Sequence, residues 1–271
     1  MTELIISGLT IFCLESILIG LLMLMPRLGS LGKNISEACT KAPTLDLVVS
    51  ALTWLPWLFC GVFAGWWGFT GALVAQIGVM QLWIYGHELF HTDAARDGRI
   101  VSYLNQRFGW WRNHLGLWVT AMALPAFFAI RFAQLFVYPF LTFLLGFPNY
   151  KHSDWINVSR QKFEGLVGHD LIWCLYCDWM TGVYSLGAEM LRNVESFWCP
   201  IRFYHDKKCE NCKIDFPDIE RGWVAADGTM KDVVQTLHEH MPENHSWSWF
   251  GHPERQRDQG RKATKVLPSV K

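Results

Sequence analysis

Two histidines one helical turn apart, with a glutamate between them, are the sharpest chemical signal in this chain: Gly86-His87-Glu88-Leu89-Phe90-His91. Side chains at i and i+4 share one helix face, so both imidazoles can hold one metal ion. As written this is a HExxH motif, in which Glu88 would act as general base on a zinc-bound water. A third ligand would then come from Glu164, His169 or Glu189. The plainer alternative for His87 and His91 is capping or hydrogen bonding at a helix end.

A basic stretch follows the motif, with Arg96 and Arg99, then Asn105 within Arg99-Ile-Val-Ser-Tyr-Leu-Asn105-Gln-Arg-Phe-Gly109. With these residues the segment resembles the first histidine box of the membrane fatty-acid desaturase, hydroxylase and alkane-monooxygenase superfamily. The resemblance covers about residues 46–150. It implies an integral-membrane oxidoreductase with one or two non-haem iron ions, a lipid-like membrane-borne substrate and an external electron-donor protein. The family's further boxes carry adjacent histidines, and this chain has no such pair. Its remaining ligands would be scattered: His114, His152, His169, Asp170, His238, His240 and His245. Carboxylate and imidazole ligands with open positions suit iron that activates oxygen. Glu88 would then be a supporting or bridging carboxylate. Two other readings stay open. One is a membrane zinc peptidase with Glu88 as base. The other is a non-enzymatic membrane subunit whose cysteine module anchors a partner.

The cysteines form a second cluster. Of eight, Cys174, Cys177, Cys199, Cys209 and Cys212 fall in the last hundred residues. Disulfides are disfavoured in the cytoplasm, so clustered thiols there read as metal ligands. One arrangement is a Cys3His zinc site from Cys199, His205, Cys209 and Cys212. The other pairs Cys174-x2-Cys177 with Cys209-x2-Cys212, closing a four-sulfur site for zinc or iron. Zinc would staple a small module over 198–240, whose apolar anchors are Phe203, Ile214, Phe216, Ile219, Trp223 and Val224.

These groups must be positioned by helices in lipid. Charged residues are 18% of the 271, against about 25% in a soluble domain, which argues against an ordinary cytosolic enzyme. Aromatics at 15%, with 15 Trp and 18 Phe, exclude global disorder. Zero net charge gives no hint of a nucleic-acid partner. About 20 apolar residues span a bilayer as a helix. Leu4 to Met25 is such a run, broken only by Glu15; its acidic start and its length read as a retained helix, not a cleaved signal. Glu15 at bilayer depth is expected to be protonated or paired with Ser16, or else functional. The block from Leu47 to Tyr85 reads as two helices, roughly 46–65 and 68–86, turning at Gly65-Trp66-Trp67-Gly68. Leu115 to Phe147 reads as a hairpin turning near Arg131, with arms short, tilted or re-entrant.

All but one of the 24 Lys and Arg residues, Arg131, then fall on a single side. Positive loops are cytoplasmic. The expectation is an all-α membrane bundle of about five spans, six if 166–191 also crosses, with the N-terminus outside. Residues 1–165 form the membrane domain with the box, 166–197 an interfacial or packed helix, 198–254 a cytoplasmic Cys/His module, and 255–271 a charged tail. Near the end, Thr229 caps a helix running to about His240, with Asp232 at its third position. Trp247, Trp249 and His252 suggest a segment that docks on the membrane or on the module.

Overall fold

The computed structural model describes residues 1–96, 98–163, 165–215 and 219–240. Among these the chain is all-helical, with no strand. Three helical runs are long and apolar enough to cross a membrane: Thr2–Arg27, Trp54–Phe90 and Trp110–Leu145. Contacts divide the chain into two units. The first is Met1–Leu124 with His152–Gly182; the second is Pro125–Lys151 with the residues from Val183 onward.

In the first unit, helix α1 (Thr2–Leu24) is followed by α2 (Gly29–Cys39), α3 (Thr44–Ala51) and α4 (Trp54–Phe90). Helix α4 is two arms. Gly65 has φ 61° and ψ −156°, which breaks the helix at a conformation glycine adopts without penalty. The chain reverses there. The rings of Trp57 and Phe69 meet edge-on at 6.3 Å, and Gly68 touches the Cys60 carbonyl. The expected turn at Gly65 is therefore present. The helix before it is interrupted once more: α3 ends at Leu52, Thr53 leaves the helical region, and a new helix starts at Trp54.

The long arm, 66–90, lies parallel to α1. Glycine makes the approach close, since a Cβ on Gly71 would collide with the Leu4 carbonyl, and Gly8 faces Gly71. Further along, Ile11 packs with Ala72 and Ala75, and Ile19 with Val79 and Leu52. Between these layers Gln76 donates to Glu15 (3.0 Å) and to the carbonyls of Leu52 (2.7 Å) and Thr53 (2.9 Å). Glu15 is thus paired with Gln76, not with Ser16, whose hydroxyl has no hydrogen-bond partner among the described residues.

Short helices α5 (Thr92–Arg96) and α6 (Ile100–Phe108) lead into α7 (Trp110–Ala121), α8 (Leu124–Phe132) and, after a π-helical stretch over Ala133–Val137, α9 (Tyr138–Leu145). No hairpin turns near Arg131. The residue sits inside α8, 2% exposed, and donates to Gln134 (2.9 Å) three positions on. The apolar run simply stays helical, because a buried partner one turn away removes the need to bring the guanidinium to a surface. The chain then passes through α10 (His152–Trp155) to α11 (Gly168–Trp198). Helix α11 is amphipathic and is not among the three runs long and apolar enough to cross a membrane. Its Trp179 is fully buried and donates to Asp46 (3.1 Å).

In the second unit, α12 (Asp206–Asp215), α13 (Ile219–Gly222) and α14 (Met230–His240) follow α11. The anchors Ile219, Trp223 and Val224 are buried. The Arg192 guanidinium lies 3.7 Å from the Trp223 ring centroid, and Val224 pairs by backbone with Pro200 and Arg202. Thr229 and Asp232 form the expected capping box at the start of α14.

Candidate functional site

The end of the long α4 arm gathers the groups singled out by spacing. His87 and His91 stack, ring centroids 4.3 Å apart and planes within 19°. His114 on α7 and His169 on α11 lie beside one another at 5.0 Å. Glu88 links the two pairs, because its Oε1 accepts from the His169 backbone N–H (3.3 Å) while Gly168 N–H donates to His87 Nδ1 (3.2 Å). So four histidines from three helices, and Asp170, share one neighbourhood of the first unit. His152 heads α10 instead, and His238 and His240 stand exposed on α14. His245, Glu164, Trp247, Trp249, His252 and the tail 255–271 lie outside the described residues.

At the centre is Arg99, whose side chain is 8% exposed. It donates to Glu88 (2.8 Å), Asp170 (3.0 Å) and the Val167 carbonyl (3.2 Å). Asp170 also accepts from the N–H groups of Ile100 and Val101, so it caps α6 from another helix. Burial works against the charge on Arg99, yet its bonds to Glu88 and Asp170 outweigh this and hold its pKa above the ordinary value. Burial, with His114 adjacent, holds the His169 imidazole below the usual histidine range despite Asp170 and Glu88. Gly168 has φ +52°, and any Cβ there would strike the Glu88 side chain.

Whether the cluster suits a metal turns on its lone pairs. A neutral imidazole has one N–H and one lone pair. His91 and His114 each place Nδ1 2.9 Å from the carbonyl four residues back, which makes Nδ1 the donor and leaves the Nε2 lone pair outward. Histidine ligands characteristically direct their second nitrogen at such a carbonyl. The other two differ. His87 Nδ1 accepts from Gly168, and His169 Nε2 accepts from Trp173 (3.2 Å). Two of four imidazoles thus fit a metal as they stand, and two would have to release long, weak bonds. Among the described residues no three His, Cys, Asp or Glu side chains converge tightly enough to hold an ion.

Cys174 and Cys177 lie on the α11 stretch of the first unit, and Cys209 and Cys212 on α12 of the second. His205 Nδ1 accepts from the Lys208 N–H and so caps α12, and Cys212 packs against Ile219 and Trp223. Cys199 is exposed. As placed, these donors do not fit a Cys3His site.

Sequence reasoning gave Arg99 a place in the basic stretch but missed its contacts, and it missed Gln76, Gly168 and Trp173 altogether. No periodic signal marks pairs separated by 71 or 81 residues. Comparison with family profiles, with curated proteins and with solved structures finds no match.

Proposed function

We propose that this chain is an integral-membrane, metal-dependent oxidoreductase acting on a lipid-like substrate, with His91, His114, His87 and His169 as its donor set. The observation that supports the reading is that two imidazole pairs, His87 with His91 and His114 with His169, are held in one neighbourhood through Glu88 and Gly168 at the basic end of an apolar helix. A non-haem iron bound there would supply oxygen-dependent oxidation. The chain's own groups set the site up. The carbonyls of His87 and Trp110 fix the tautomers of His91 and His114 so that Nε2 faces out. Arg99 pairs with both Glu88 and Asp170 and ties the α4 end to α6 and α11.

The peptidase reading is weaker. Glu88 as general base would have only Oε2 to offer, because Oε1 already accepts from Arg99 and from the His169 backbone N–H. The non-enzymatic subunit keeps one specific support: Glu88, Asp170, His87 and His169 all have structural work as they stand. The cysteine module would then dock a partner.

The basic loops carry the orientation. Helix α1 and the long α4 arm are parallel, and they end at Arg27 and at Arg96 and Arg99. That end is cytoplasmic by charge, which puts Met1 and Gly65 outside.

Elemental analysis of the purified full-length protein tests the reading, with His91→Ala and Cys209→Ser beside it. The expected result is near-stoichiometric iron, lost in His91→Ala and kept in Cys209→Ser. Wild-type protein free of iron and zinc after iron-supplemented expression favours the structural subunit. Zinc alone, bound and supporting chelator-sensitive proteolysis, restores the peptidase.

A further inference from the structure

Between α1 and the 54–64 arm lies a cavity of about 450 Å³. Ile11, Leu14, Leu55 and Phe59 wall it, and Phe63 at its edge is 82% exposed, on the surface that would meet acyl chains. One carboxylate, Glu15, lines this apolar space, itself 4% exposed. No lysine, arginine or histidine lines it.

Behind Glu15, among residues that do not themselves line the cavity, acceptors outnumber hydrogen-bond donors. At the interruption between α3 and α4 the Leu52 and Thr53 carbonyls both accept from Gln76 Nε2, as does Glu15. A carboxamide nitrogen carries two hydrogens and here faces three acceptors. The last carbonyls of α3 add partial negative charge at the same point. A buried carboxylate in such a setting is costly unless a positive, hydrogen-donating group meets it. A mostly apolar cavity lined by that one carboxylate matches a molecule with an alkyl body and an ammonium head.

We propose that this cavity binds a lipid-soluble primary amine, its ammonium on Glu15 and its chain along Ile11, Leu14, Leu55 and Phe59. An ammonium group brings three N–H donors and one positive charge. An alcohol of the same length brings one donor and no charge, and a carboxylic acid would set like charge against Glu15. The site is independent of the imidazole cluster and stands whether or not that cluster holds a metal.

Cys60 lines the cavity, whereas Cys13 on α1 is exposed elsewhere, which gives an internal control. Full-length protein in nanodiscs is alkylated with N-ethylmaleimide, and modification at each cysteine is followed by peptide mass spectrometry. Dodecylamine, dodecanol and dodecanoic acid are compared at equal bilayer concentration. Dodecylamine is expected to slow Cys60 alkylation at least about tenfold more than dodecanol, the worth of a charge-assisted bond. Cys13 should be unchanged, and Glu15→Gln should abolish the difference between amine and alcohol. Equal protection by amine and alcohol, equal protection of Cys13, or undiminished amine protection in Glu15→Gln would overturn the proposal. If Glu15→Gln does not fold, the native-protein comparison of the three probes decides alone.

Discussion

Arg99 concentrates the energetics of the imidazole cluster in one side chain. Its guanidinium meets two carboxylates and a carbonyl while 8% exposed, and no other cation is bonded to Glu88 or Asp170 among the described residues. Arg99→Ala is therefore expected to cost about 3–5 kcal/mol, the usual penalty for orphaning buried charges, seen as a lower midpoint in thermal unfolding in detergent. Arg99→Lys should recover only part of this, because the guanidinium reaches Asp170 and Glu88 from two separate nitrogens in a fixed fork, whereas a lysine has a single nitrogen to place between them. Recovery to wild type would show that charge alone is used. The histidine pair was legible from its i, i+4 spacing, since a helix repeats on that scale. The clamp was not, because its partners are brought together by tertiary packing from 11 and 71 residues away.

Elements meet here through small residues and caps. Gly71 has a backbone, not a side chain, against it on α1, so a larger residue cannot be absorbed by a rotamer change. Gly71→Leu should push α1 off the long α4 arm, breaking the Glu15–Gln76 bond and lowering the unfolding midpoint more than Gly78→Leu, whose nearest neighbour is the flexible Phe12 ring at 3.9 Å. At α14 the cap was legible as Thr229-x-x-Asp232, a local motif needing no tertiary knowledge. Backbone and side-chain hydrogen bonds from Thr229 hold the Asp232 carboxyl below its ordinary value. A depressed folded value stabilises above the unfolded pKa and loses that support as pH falls through the folded one. Amide exchange over 230–240 should accordingly speed up below about pH 4 relative to neutral pH, after correction for intrinsic rates. Asp232→Asn should remove that dependence.

For the whole molecule, apolar run length announced helices long enough to cross a membrane, of which three are present where about five spans were expected, and Gly65 announced its own reversal. Arg131 misled, because a charged residue inside an apolar run reads as a turn when its buried neighbour Gln134 cannot be seen. The parallel packing of α1 on the 66–90 arm carries a topological consequence that no hydropathy profile contains. Two parallel helices in sequence need a return crossing between them. The interrupted run of α3 and the 54–64 arm is what the chain offers for it, about 21 residues or roughly 30 Å if helical throughout. Trp66 should then face one side of the membrane and Thr92 the other, with Ser30 on the side of Thr92. Single cysteines placed at these three positions, in a background without the native ones, can be probed in sealed cells with an impermeant maleimide. Trp66→Cys is expected to label from outside, and Ser30→Cys and Thr92→Cys only after permeabilisation. Labelling of Trp66→Cys from the same side as Ser30→Cys, with Thr92→Cys on the other, would mean that the interrupted segment dips into the bilayer and returns. The broken helix carrying Leu52, Thr53 and the Glu15 cavity would then be re-entrant, not spanning.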